Sequence, residues 1–222
     1  MNMLLIGAQG SGKGTQAAAL TQALDILPIS SGDMFRKAFE EKTDLGLKAK
    51  AFMDRGELVP DDITVRMVLQ QIKELDYTQG FLLDGFPRTI AQAQALDRGL
   101  QSMGRQLDLV IYLNVSRKEL LSRLAGRFLC HAHQHDYNIL SHPPKVAGIC
   151  DIDGSKLYQR SDDRGAAIQR RLDIFFNNTI HLLDFYKRQQ KLIEVNGDGN
   201  IDQVHAALLN QVYDAMQQQK VS

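Results

Sequence analysis

Residues 4–16, LLIGAQGSGKGTQ, place four glycines and one lysine where an apolar run gives way to a polar one. Glycine loses more backbone freedom on folding than any other residue, so four of them after a buried strand need a reason. Gly7-Ala-Gln-Gly-Ser-Gly12-Lys13 fits G-x-x-x-x-G-K, the phosphate-binding loop, when a strand precedes it and a helix follows. Residues 3–6 read as that strand and residues 15–24 as that helix. The curled backbone points successive N–H groups inward, and the start of the helix adds its positive end. Gly10, Ser11, Gly12, Gly14 and Thr15 then line a polyphosphate, and Lys13 reaches its β and γ groups. One departure stands out. The residue after Lys13 is Gly14, with the hydroxyl one place later at Thr15, which leaves direct magnesium ligation at the usual position open. The alternative, a glycine turn that binds nothing, conflicts with the order strand, loop, lysine, helix.

Downstream the alternation continues. Residues 26–29, 80–83, 108–113 and 191–195 read as further strands, and 61–75, 89–103, 162–188 and 201–216 as helices. In 89–103, Thr89 caps, Ile90, Ala93, Leu96, Leu100 and Met103 recur on one face, and Gly104 stops the helix. In 162–188, Ile168, Leu172, Phe175, Phe176, Leu182 and Leu183 face the core. The pattern predicts an α/β fold, a five-stranded parallel sheet with helices on both faces. Two stretches break it: 30–59, made of short helical pieces with Phe35 and Met53 as its core, and 126–163, rich in turns and histidine. The chain thus divides into a core of 1–29, 60–125 and 164–222 with two insertions. Phe81-Leu-Leu-Asp84 ends a strand in a carboxylate at the sheet edge where ligands collect. Asp84 there either orients magnesium through water or caps the following turn.

Lysine plus arginine and aspartate plus glutamate both number 26, so the net charge is zero. That argues against a chain held to nucleic acid or membrane by a broad positive field, and any anion site must be local. No leader or membrane span is read in the sequence, so cytoplasmic residence is expected. Neutrality and a self-contained site favour a monomer. Two cysteines are too few for a disulfide scaffold. Cys130-His-Ala-His133 and Cys150-Asp-Ile-Asp153 instead form two C-x-x-[HD] pairs sixteen residues apart, a spacing like that of a zinc ribbon. Cys130, His133, Cys150 and Asp153 are the predicted ligands, with His131 and His135 near enough to replace His133. The competing reading is a reduced, hydrogen-bonded cluster without an ion.

Four ordered motifs, G-A-Q-G-S-G-K-G-T at 7–15, S-S-G-D-M-F-R at 30–36, D-G-F-P-R-T at 84–89 and Y-Q-R-S-D-D at 158–163, together resemble the adenylate kinase family, long-lid type. The resemblance implies reversible transfer, MgATP plus AMP to two ADP, with 30–59 as the AMP-binding insertion and 126–163 as the lid. It implies that AMP is held by Ser31 (threonine is usual), Arg36, Glu57, Leu58, Val59, Gly85, Phe86, Pro87, Arg88 and Gln92, with Arg160 and Arg171 at its phosphate. Arg127, Asp136, Tyr137 and Gly199 fall on the ATP side. Lys13, Arg88, Arg123, Arg127, Arg160, Arg171 and Asp84 form the catalytic set, and lids of the family carry either four metal ligands or a polar cluster. Asp162 and Asp163 fall at the lid hinge, or complement a helix N-terminus.

Arginine suits phosphoryl transfer: it stays charged in a dry site and its fork fits phosphate oxygens. The AMP phosphate is already anionic, so no general base is assigned. Rival readings are a uridylate or cytidylate kinase of the same fold, disfavoured by Ser31, Gln92 and the full-length lid, and a P-loop switch or ATPase module, which leaves the arginines and the Phe86-Pro87-Arg88 turn unexplained.

Overall fold

The computed structural model describes residues 1–163 and 165–221; Arg164, the first residue of the expected third core segment, lies outside the described residues. From the N-terminus run β1 (Asn2–Ile6), α1 (Lys13–Leu24), β2 (Leu27–Ser30), α2 (Ser31–Glu40), α3 (Asp44–Asp54), α4 (Asp61–Lys73), β3 (Phe81–Asp84), α5 (Ile90–Ser102) and β4 (Leu109–Asn114). There follow α6 (Arg117–Gly126), β5 (Arg127–Cys130), β6 (Asp136–Asn138), β7 (Leu157–Tyr158), α7 (Gly165–Ile174), α8 (His181–Arg188), β8 (Leu192–Asn196) and α9 (Ile201–Val221).

Five strands form a parallel sheet in the order β2-β3-β1-β4-β8. Successive side chains of a strand point to opposite faces. Leu4 and Ile6 of β1 pack with Val68, Leu96 and Leu182, whereas Met3 and Leu5 pack with Leu20, Leu208 and Val212. Both faces are covered by helices, which is why β1 and β4 are apolar without alternation. From β1 the sheet extends one way to β3 and β2 and the other way to β4 and β8. At that reversal the strand ends open a crevice, and residues 7–12 leave β1 into it.

Each strand ends one residue later than apolarity predicts, on Ser30, Asp84, Asn114 and Asn196 in the four strands after β1. Hydrophobicity marks burial, while the ladder continues through paired polar residues: Ser30 lies opposite Asp84 and Asn114 opposite Asn196. The helix expected over 162–188 is not continuous. A 3₁₀ turn (Ser161–Asp163) precedes α7, and a π segment (Phe175–Thr179) separates α7 from α8. Ile180 N donates to Phe175 O at 2.9 Å, the wide step of a π turn. The bulge lets Phe175 and Leu182 both stay buried and brings Thr179 Oγ1 to within 3.1 Å of the Arg88 carbonyl, to which it donates.

Between β2 and α4, α2 and α3 cross at Gly46, where a Cβ would lie 2.2 Å from Ala38 and Phe39 backbone atoms. Phe35, Ala49 and Val59 form their small core, with Met53 packed against it. After α6 comes a three-stranded antiparallel sheet, β6-β5-β7. Among the described residues, no helix is long and apolar enough to cross a membrane.

Candidate active site

The loop after β1 holds Gly10 and Gly12 at φ of 84° and 90°, a region side chains with a Cβ avoid, and Gly12 caps α1. Lys13, the first residue of α1, folds back so that Nζ donates to the Gly7 and Ala8 carbonyls at 2.7 and 2.8 Å. Burial pulls its pKa down to about 8; Asp84 supports the charge, while Arg88, Arg171 and Arg127 oppose it. A methyl group at Gly14 would meet no atom within 4 Å, and Thr15 is half-buried on the first turn of the helix. Among the described residues, Gln9 Oε1, Ser11 Oγ, Asp84 Oδ1 and Arg160 Nε are buried without a hydrogen-bond partner. Such atoms cost about 1–3 kcal/mol each when left dry, so a crevice that collects four of them suits a polar ligand.

On the β3 side, Ser31 Oγ donates to the Gly85 carbonyl at 2.9 Å, and Arg88 Nε donates to the same oxygen at 2.7 Å. Phe86 is buried beneath this turn and Pro87 lines the crevice beside Arg88. Gln92 is almost fully buried. Its Oε1 accepts from Arg88 N and its Nε2 donates to Asp61 Oδ1, both at 2.7 Å, which leaves one amide hydrogen and one lone pair of Oε1 for anything else. Asp61 also accepts from Thr89 Oγ1 at 2.9 Å; this brace spans 31 positions and has no sequence signature. Arg36 pairs with Asp33, and Glu57 pairs with Arg55 at 2.8 Å and with Arg170 of α7 at 3.0 Å. Leu58 is half-buried next to Val59.

Across the crevice, Asp163 is buried between two guanidiniums: Arg127 grips it with contacts of 2.6–2.8 Å and Arg171 donates to it at 2.8 Å. Asp162 holds Arg171 at 3.0 Å. The two hinge candidates thus face arginines. Burial works against the charge on Arg127, yet Asp163 outweighs it and raises the pKa. Arg88 and Arg160 are both driven down to about 10, first by burial and then by neighbouring guanidiniums, and Arg171 is lowered for the same reasons. Arg123 lies at the other end of the loop, its Nη2 donating to the Gly197 carbonyl at 2.9 Å and to the Gly199 carbonyl at 3.4 Å. A roomier groove between α5 and α8 shares no residue with the phosphate loop.

In the small sheet, Cys130, His135, Cys150 and Asp153 bring four donor atoms within 4.8 Å of one another. His135 therefore takes the position that spacing assigned to His133. The reason is hairpin register: Cys130 N donates to His135 O at 3.0 Å, so 131–134 form the loop and residues 130 and 135 face each other at its base. His133 rides outside, 68% exposed, with Nδ1 3.0 Å from Asp153 Oδ2. His131 stacks on Tyr158 instead. The backbone N–H groups of His133 and His135 both donate to Cys130 Sγ, and hydrogen bonds from Ser155 hold the Asp153 carboxyl far below the usual carboxylate range. Asp136 is exposed, whereas the Tyr137 ring is buried between the two cysteines with its hydroxyl 3.4 Å from Cys150 Sγ.

Comparison with known proteins agrees with this geometry. The adenylate kinase family model matches residues 5–191. An adenylate kinase of Staphylococcus aureus (strain Mu50) is 48% identical over 204 residues, 92% of this chain and 95% of its own. An adenylate kinase of Brevibacillus brevis is 45% identical over 208 residues, covering 94% and 97%, and one of Staphylococcus epidermidis is 47% identical over 204 residues, covering 92% and 95%. With the phosphate loop, the parallel sheet and the arginine-lined crevice already in place, these matches show that the chain belongs to the adenylate kinase family.

Proposed function

We propose that this protein moves the γ-phosphoryl group of ATP to the phosphate of AMP, reversibly, giving two ADP. The carrying observation is the like-charge crowding in the crevice. Arg88, Arg160 and Arg171 each have other guanidiniums among the causes that lower their pKa, and Lys13 adds a further cation. Gathering such groups is unfavourable unless a polyanion joins them, and two nucleotides laid end to end bring one. The names of the relatives support the same reading.

In this reading Gly10–Thr15 and Lys13 bind the ATP phosphates, with Arg127, Asp136, the Tyr137 backbone and the Gly199 carbonyl toward its ribose and base. Ser31, Arg36, Glu57–Val59, Gly85–Arg88 and Gln92 hold AMP in the insertion 30–59, and Arg160 and Arg171 reach its phosphate. Arg88, Arg123, Arg127, Arg160 and Arg171 stabilise the charge that spreads over the migrating group. The acceptor is a phosphate oxygen without a proton to remove, so alignment and electrostatics suffice. The segment 126–163 closes over the site and keeps out water, a competing acceptor. Magnesium bound with ATP supplies neutralisation of the phosphate oxygens, and the buried, unpaired Asp84 Oδ1 fits a water of its hydration shell. Two thiols, an imidazole and a carboxylate fit a tetrahedral zinc in the small sheet, where the ion holds the fold together without entering the chemistry. Neutral net charge supports a monomer, and two unpaired cysteines support a reducing, cytoplasmic setting.

Purified protein incubated with MgATP and AMP, UMP or CMP, followed by nucleotide chromatography, tests this. ADP formed from AMP in preference to the other acceptors is expected. No ADP from the ATP and AMP pair, or preferred phosphorylation of UMP or CMP, overturns it.

A further inference from the structure

Gln9 lies at an unspecified position of the phosphate-loop pattern, so the motif gives it no task. Its side chain nevertheless lines the same small cavity as Gly7, Lys13, Gly85 and Arg88, and its Oε1 is buried there without a partner. Phosphate oxygens at neutral pH only accept hydrogen bonds, and the cavity already presents the Lys13 ammonium and the Arg88 guanidinium to them as donors. A dry acceptor aimed among those donors has no complement on a phosphate. Asp84 Oδ1, at the end of the neighbouring strand and close enough to support the Lys13 charge, is a second dry acceptor. One acceptor on the cavity wall and a second close to Lys13 match a ligand that brings hydrogens to them, and a hydrated divalent cation does so through its water molecules. The hydroxyl that usually follows the loop lysine is missing here, because Gly14 occupies its place.

We propose that Gln9 is a positioning residue for the metal that accompanies ATP: its Oε1 accepts a hydrogen bond from a water of that ion's hydration shell. The inference rests on the phosphate-loop reading above and concerns a residue that reading does not use.

Calorimetric titration of the full chain with ATP alone, once with magnesium and once with EDTA, tests this without turnover. In Gln9→Met, which keeps length but removes the acceptor, MgATP binding is expected to weaken about 2- to 10-fold, the range of one hydrogen bond, while metal-free ATP binding holds. In Gln9→Glu, which keeps an acceptor and adds charge, the preference for MgATP over metal-free ATP is expected to grow. Equal weakening of both forms in Gln9→Met, or no change in either, overturns the inference, and a matching melting curve certifies that the variant is folded. Failure of the unsubstituted protein to bind ATP in both conditions sinks the phosphate-loop reading instead.

Discussion

The crevice around Lys13 and the cluster around Cys130 both take polar groups out of water, but they finish the task differently. In the crevice, Gln9 Oε1, Ser11 Oγ, Asp84 Oδ1 and Arg160 Nε have no partner, and guanidiniums depress one another's pKa. In the cluster, His135 Nδ1 lies 3.3 Å from Cys150 Sγ and 3.2 Å from Asp153 Oδ2, and Cys130 Sγ lies 3.2 Å from the same carboxylate. One site is left open at a cost in stability, as a ligand site must be. The other closes on itself. Its sheet has strands of four, three and two residues, and its buried residues are Cys130, Leu129, Tyr137 and Cys150, too little apolar surface to hold a fold alone.

The strongest way to break this contrast is at Asp163, the carboxylate that holds Arg127 and Arg171. Asp163→Ala leaves the Arg127 guanidinium without its counter-ion and Arg171 with Asp162 alone, which is expected to cost about 3–5 kcal/mol in denaturant unfolding of the nucleotide-free protein. ATP and AMP together should restore part of the loss, because their phosphates replace the missing negative charge. If nucleotides restore nothing, the crevice is not where the polyanion binds.

Lys13→Met comes next, with a loss of about 10²–10³ in kcat/KM, the scale of one preorganised charge on a transferring group. The pH dependence sharpens the point. Lys13 titrates at about 8 in the folded chain against an ordinary 10.5, so the unfolded chain binds this proton more tightly between those values. Its contribution therefore makes stability rise with pH from about 8 to about 10.5, and Lys13→Met should remove that rise from unfolding curves. Nucleotide binding runs the other way: phosphate favours the charged lysine, so above pH about 8 binding takes up a proton and affinity falls. Calorimetry in buffers of different ionisation enthalpy measures that proton, and Lys13→Arg should not take it up.

How far each site is legible from sequence follows from how local it is. Gly10, Gly12 and Lys13 act through backbone geometry within a few residues, so the pattern alone places them. The sheet is equally legible, because β1 and β4 must be apolar on both faces. The choice of His135 over His133 is not legible, since C-x-x-H spacing assumes a tight knuckle while the hairpin pairs residue 130 with 135, and spacing alone offers His135 only as a substitute. Thr179 needs a π turn that periodicity does not signal, and Asp61 reaches Gln92 only through the packing of α4 on α5. Gln9 escapes because a motif describes what it requires and is silent on the residues between.

For the closed site the expected loss is smaller. Zinc added to purified protein and then stripped with a chelator should lower the melting temperature by about 4–8 °C, corresponding to about 2 kcal/mol in a chain of this size. The initial rate at moderate temperature should hold, because no donor of the cluster reaches the crevice. A chelator that abolishes activity at once without moving the melting curve would exchange the roles assigned to the two sites.

The smallest effects discriminate best, because they carry opposite signs. Ser11 is 2% exposed and its hydroxyl has no partner, so Ser11→Ala removes a dry polar group. The nucleotide-free protein should gain up to about 1 kcal/mol, while ATP affinity falls about 2- to 10-fold. Tyr137→Phe deletes a hydroxyl that accepts from Asp151 N at 2.7 Å and touches Cys150 Sγ, leaving that N–H unsatisfied. There stability should fall by about 1 kcal/mol and ATP affinity should not change. A buried hydroxyl is thus worth keeping for two separable reasons, and the pair of variants reads them on separate axes. If Ser11→Ala destabilises the free protein as Tyr137→Phe does, the crevice is already satisfied from within, and its open polar atoms are not what draws the nucleotide.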